Sequence, residues 1–186
     1  MNAINFSQST AYRIAVWLNQ ALELDIAIDS KVEPHTWFQF SDDNGGVVHC
    51  ASATPGEISK FELGKKETRD HYLEIIHLAR AAISKGDSLE INDANLYVVF
   101  ACLHEFGHYR QWKDLSAADY RALVDRRHAR FDQLNKTILT MKKGYARGQE
   151  AYQYFAKEYR RLPLEHESDL FALEQLQIVL RMGVGD

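Results

Sequence analysis

The sequence predicts a mostly helical α+β domain with a small β-sheet and a helical-hairpin insertion. Three observations carry that expectation. Apolar residues recur at helical spacing over most of the chain. Two short β-favouring runs flank the polar turn DDNGG. Two seven-residue aromatic and aliphatic stripes lie on either side of KKGYARG. With 186 residues, 46% hydrophobic and 26% charged, the chain fits one domain spanning 1–186 and can bury a core without disulfides. Three prolines and ten glycines exclude disordered and fibrous classes.

The elements follow in order. Between Ser9 and Glu23, apolar residues at Ile14, Trp17, Leu18, Ala21 and Leu22 describe a helix packing one face, with Ser7 or Ser9 as its cap. HTWFQFS and GVVHCASA then form a hairpin. KKETRDHYLEIIHLARAAISKGD places Tyr72, Ile75, Ile76, Ala79 and Ile83 on one helical face, with Gly86 just past the end. SLEI is a short strand. Asn92 or Asp93 caps a buried helix through ANLYVVFACLHEFGHYRQWK. The stripes Val124, Phe131, Leu134, Ile138, Met141 and Tyr145, Tyr152, Phe155, Tyr159, Leu162 predict two long helices paired antiparallel over about 116–160. The last helix begins at Pro163, a residue suited to a first helical turn.

Charge and cysteine usage narrow the function classes. A net charge of −4 gives no general pull towards nucleic acid or an anionic membrane, and the locally basic RALVDRRHAR reads as a solvated helix face. The N-terminal apolar stretch is interrupted by Arg13, Asn19 and Gln20, unlike a signal peptide or a membrane span. Two cysteines, Cys50 and Cys102, do not describe a disulfide scaffold. A reducing, cytoplasmic location is the expectation, with Cys102 a small buried residue on the far side of its helix from His104.

LHEFGHYRQ carries the chemistry. His104 and His108 lie one helical turn apart and can present ring nitrogens to one point, while Glu105 is rotated by about 100° and can reach a water there without ligating. That is the arrangement of a zinc hydrolase with glutamate as general base. The competing reading is chance spacing on an ordinary helix. Against it stands the apolar setting LYVVFACLHEF, where two histidines and a glutamate need partners. Catalytic zinc takes a third protein ligand. Candidates downstream are His128, Glu165, His166 and Glu167, and Glu165 is favoured because Asp169 falls four residues later on the same face. Complementing a helix dipole is the alternative use of Glu165 and Glu167. Tyr109, Tyr152, Tyr159 and His77 are candidate oxyanion donors.

The pairing of HEFGH with EHESDLFA resembles the gluzincin metallopeptidases, nearest to the ImmA/IrrE-like peptidases. Glu165, Asp169, Phe171 and Ala172 stand in the matching places, with Ser168 where alanine is common. The resemblance implies a zincin-like fold and Zn2+ held by His104, His108 and Glu165. It also implies Glu105 as base and Asp169 hydrogen-bonded to a zinc-binding histidine. It suggests limited proteolysis of an intracellular regulator such as a repressor, so that the partner is a protein or peptide substrate. The rival functions are a non-proteolytic metal hydrolase, and a binding module whose metal is structural and whose helical hairpin is the working surface.

Overall fold

A computed structural model of the chain describes residues 4–30, 37–42, 45–83, 91–144 and 148–182. A mostly helical α+β architecture is present, with seven α-helices and a three-stranded mixed sheet among the described residues. A single 3-10 turn, Phe6–Gln8, precedes helix α1 (Ala11–Ala21). The cap of α1 is Thr10, whose hydroxyl accepts from the backbone N–H of Arg13, and neither Ser7 nor Ser9 takes that role. Ser7 instead accepts from the side-chain amide of Asn95 at 2.9 Å, tying the N-terminus to the central helix.

The sheet combines β1 (Ala27–Asp29), β2 (Phe38–Ser41) and β3 (Val47–Cys50) in the order β1-β3-β2. As DDNGG predicts, β2 and β3 pair antiparallel, with Phe38 opposite Cys50 and Phe40 opposite Val48. Gly46 in the connection has φ +78, and a Cβ there would meet the Trp112 ring at 2.7 Å, so glycine answers both the backbone and the packing demand. β1 adds in parallel on the other side of β3, a strand too short for its periodicity to announce. Among the described residues β2 is thereby an edge strand.

Helix α2 (Pro55–Gly64) was not anticipated, although TPGE carries its signal. The Thr54 hydroxyl accepts from the Glu57 N–H while the Glu57 carboxylate accepts from the Thr54 N–H, a complete capping box with proline in the first turn. Helix α3 (Lys66–Ala82) buries the expected face of Tyr72, Ile75, Ile76 and Ala79. It ends with Ile83 in extended geometry, and Gly86 and most of the expected SLEI strand lie outside the described residues.

Helix α4 (Asp93–Asp114) is the centre of the molecule. Asn92 caps it, accepting from Asn95 N–H at 2.9 Å. Leu96, Val98, Val99, Phe100, Cys102, Leu103 and Phe106 are each fully buried, which is the condition of a helix surrounded on most sides. Cys102 is the small buried residue expected, and Cys50 is buried as well. Helix α7 (Pro163–Arg181) packs along α4 and sends Phe171, Ala172 and Leu176 into the same core.

Helices α5 (Ala117–Gly144) and α6 (Gly148–Arg160) pack on each other through Phe131, Phe155 and Tyr159, whose ring centroids lie 5.4 to 5.9 Å apart. Among the described residues no helix is long and apolar enough to cross a membrane.

The α4–α7 crossing is close because residue 107 has no side chain. A Cβ on Gly107 would lie 2.7 Å from Ser168 Cα and 3.0 Å from its Cβ. Gly107→Ala is therefore expected to destabilise the fold by about 1–3 kcal/mol, the usual result of overpacking against backbone, despite alanine's better helix propensity. Urea denaturation measures this; an unchanged midpoint would show that the crossing relaxes freely.

Candidate metal centre

Three side chains converge where α4 and α7 cross. His104 Nε2 lies 3.3 Å from Glu165 Oε2, and His108 Nε2 lies 3.6 Å from the same oxygen. The three ligating atoms all fall within 4.8 Å of one another, and His108 and Glu165 are buried. The edge of a tetrahedron with bonds of about 2.1 Å is about 3.4 Å, so two imidazole nitrogens and a carboxylate oxygen at these spacings suit a divalent cation bound between them. The group can hold a metal ion.

Each ligand is oriented from behind. His104 Nδ1–H donates to Asp169 Oδ1 at 2.8 Å, and Arg160 donates to the other oxygen of Asp169. His108 Nδ1 meets Ser168 Oγ at 2.9 Å and Gln111 Oε1 at 3.3 Å. With Nδ1–H donated to these oxygens, the Nε2 lone pair of each ring is left for the metal. Glu165 turns Oε2 towards the histidines and Oε1 towards the hairpin, where Tyr159 OH donates at 2.7 Å and Arg127 Nη1 at 3.3 Å.

The protonation of this cluster without metal follows from the same contacts. Burial alone would lower the His104 pKa, but its hydrogen bonds to Asp169 and Glu165 outweigh burial and raise it to about 10. Burial would raise Glu165, yet hydrogen bonds with His104 and His108 hold it below the usual carboxylate range. Asp169 is lowered too, since His104 and Arg160 overcome the burial that opposes them. The site thus holds negative charge that a proton on His104 balances when no cation is present.

Glu105, next to His104 on α4, turns towards β2. Its Oε2 accepts the backbone N–H of Phe40 at 2.6 Å, so edge strand β2 fixes one oxygen of the carboxylate. Phe40 is itself held by rings of Tyr109, Trp112 and Tyr120 at 6.2 to 6.5 Å. The result is an open cleft of about 600 Å³ between β2 and the hairpin, with His104, Glu105, His108 and Glu165 on its floor.

Other expected residues fall elsewhere. His166 is exposed and outside the cluster, and Glu167 accepts from the Gln111 amide. His128 lines the cleft without joining the ligand group. Among the proposed oxyanion donors, Tyr109 donates to Asp25 O at 2.7 Å, Tyr159 is engaged by Glu165, and His77 is exposed. Tyr152 lies outside the residues whose side chains are described. The basic run 121–130 is not wholly a solvated face, because Arg127 turns inward to Glu165. Arg160 and His71 were also missed. His71 lines the cleft, and burial together with Arg160 lowers its pKa to about 4, leaving a neutral imidazole there. None of these three has a local motif; a helix of the hairpin or α3 must first be docked against α4 and α7.

No family model matches the chain, and no curated protein and no solved structure is detectably similar to it.

The ionisation pattern sets a pH dependence for the metal-free protein. His104 is raised from 6.5 to about 10, so its contribution is complete below pH 6.5 and is lost as pH rises towards 10. Glu165 and Asp169 are depressed, so theirs is present above the ordinary carboxylate range and lost as pH falls through and below it. Thermal melts in chelator are expected to show falling stability from pH 6.5 to 10, with a shallower fall in Asp169→Asn. A flat alkaline limb in the parent protein would contradict the assigned contacts. Ser168→Ala is expected to weaken metal binding about tenfold, read by chelator competition, because His108 loses one of its two Nδ1 partners.

Proposed function

We propose that this protein is a metal-dependent hydrolase, and more particularly a zinc metallopeptidase of the gluzincin kind. The observation that carries the reading is the buried His104, His108 and Glu165 group with Glu105 beside it at the floor of an open cleft. A purely structural metal site has no use for a carboxylate placed next to the ligands and aimed into a cleft. Asp169 on His104 agrees with the resemblance to ImmA/IrrE-like peptidases.

Zinc bound at this group supplies a water of lowered pKa and a positive charge to polarise a carbonyl. Glu105, held through Oε2 by Phe40, keeps Oε1 free of hydrogen bonds to described residues. That oxygen takes the proton of the attacking water and returns it to the leaving amine nitrogen. Asp169 and Ser168 hold the two imidazoles in the tautomer that ligates.

A peptide is the substrate that fits the cleft wall. Phe40 turns its N–H away from β3 and gives it to Glu105, while Phe38, two residues earlier on the same strand, presents its own N–H in that direction for a substrate. An extended segment can pair with this edge and pass its backbone over the metal position. The partner is thus a flexible protein or peptide segment, and cleavage of a cytoplasmic regulator of repressor type is the biological reading that the resemblance suggests.

Metal analysis with two variants tests the assignment. The parent and Glu105→Gln are both expected to retain about one zinc per chain. Hydrolysis of a fluorogenic peptide library by Glu105→Gln is expected to fall at least about 100-fold. Glu165→Ala is expected to lose most zinc affinity. Full cleavage by Glu105→Gln would remove that residue from the mechanism, and unchanged zinc affinity in Glu165→Ala would remove the third ligand.

A further inference from the structure

We propose that helix α5 carries an oxyanion-binding subsite beside the His104–His108–Glu165 group, formed by the Arg127 guanidinium and the Tyr120 hydroxyl. It takes the carboxylate or the tetrahedral oxyanion of a substrate seated on that group, and it rests on the metallopeptidase reading.

Tyr120, Val124, Arg127 and His128 all line the cleft. Their spacing of four, three and one residues puts them along one stripe of the helix, with Tyr120 and Arg127 two turns apart on the same face. Arg127 reaches Glu165 Oε1 through Nη1 alone, at 3.3 Å, and Glu165 is its only hydrogen-bond partner among the described residues. A guanidinium has five N–H donors in a planar fork, so Nε and Nη2 remain to bind a second oxyanion. Glu165 Oε2 faces both histidines, so Nη1 stands one carboxylate and one hydrogen bond of 3.3 Å from the metal position, on the lining of the same cleft.

Tyr120 supplies the second donor. The residue is 7% exposed, its ring packs on Phe40, and its hydroxyl hydrogen-bonds to no described residue. Burial, with the charge of Asp42 nearby, pushes the phenol up to about 12, which keeps the proton available for donation at neutral pH. The hydroxyl keeps contact with solvent in the cleft, so an arriving oxyanion replaces water there and displaces no protein partner. By contrast the Tyr159 hydroxyl is already committed to Glu165. Tyr120 and the remaining N–H groups of Arg127 thus lie on one helix and line one cleft.

Calorimetric titration of the zinc-loaded full chain tests the subsite with three probes suited to the aromatic wall of Trp37, Phe38 and Phe40. The first is a phosphinic phenylalanyl dipeptide analogue blocked at both ends, which carries a tetrahedral oxyanion and no carboxylate. The second is N-acetyl-diphenylalanine, and the third is its C-terminal amide. Arg127→Gln, assayed at saturating zinc, is expected to weaken at least one anionic probe by about tenfold or more beyond any fall in its zinc affinity, with amide affinity unchanged. Tyr120→Phe is expected to weaken the same probe less. Loss on the phosphinic probe identifies the reaction's own oxyanion as the occupant, and loss confined to the free acid identifies a fixed substrate carboxylate. Unchanged binding of both anions, equal loss on the amide, or zinc affinity falling in step with the probe would each overturn the subsite, the last making Arg127 a brace for Glu165. Zinc-loaded parent protein that binds none of the probes overturns it as well. A parent chain that takes up no zinc overturns the metal reading itself.

Discussion

The close crossing of α4 over α7 at Gly107 is the constraint on which the site depends. With Gly107 against the backbone of Ser168, three residues of α7 come close to the α4 histidines: Glu165 to both, Ser168 to His108 and Asp169 to His104. A larger separation would leave a buried carboxylate and two imidazoles without partners. Such groups are tolerated in an interior only when paired or metal-bound. Packing and chemistry are thus one condition here, set by a single missing Cβ.

Around that crossing the protein places opposite charges in alternation. Arg160 from α6 faces Asp169, Asp169 faces His104, His104 faces Glu165, and Glu165 faces Arg127 and Tyr159. The chain of contacts explains why the hairpin is more than an appendage. Its two helices close one side of the cleft and complete the hydrogen bonding of Glu165 and of Asp169. β2 closes the other side and fixes Glu105 through a backbone N–H, so the proposed general base is positioned by main chain rather than by another side chain.

His104, Glu105, His108, Glu165 and Asp169 were legible in the sequence because their relations are local. Two helical turns, HEFGH and EHESD, fix which of them share a face. The buried character of α4 was legible for the same reason, as were the hairpin of β2 and β3 and the long helices of the insertion. Helix α2 carried a complete capping box that was passed over, and β1 was too short to show a period. The role of Ser168 was hidden because an isolated serine in a helix has no signature until the facing helix is known.

What the sequence determined by itself was periodicity and identity: which residues a helix would set side by side, and which of those could ligate or move a proton. What only the tertiary structure decided was convergence between distant elements. Nothing local tells Arg127 from the exposed arginines at 121 and 126 beside it, or turns Tyr120 and His71 towards the same cleft. Those directions follow from how α3, α5 and α6 dock on α4 and α7, and docking depends on long-range burial rather than on any short pattern.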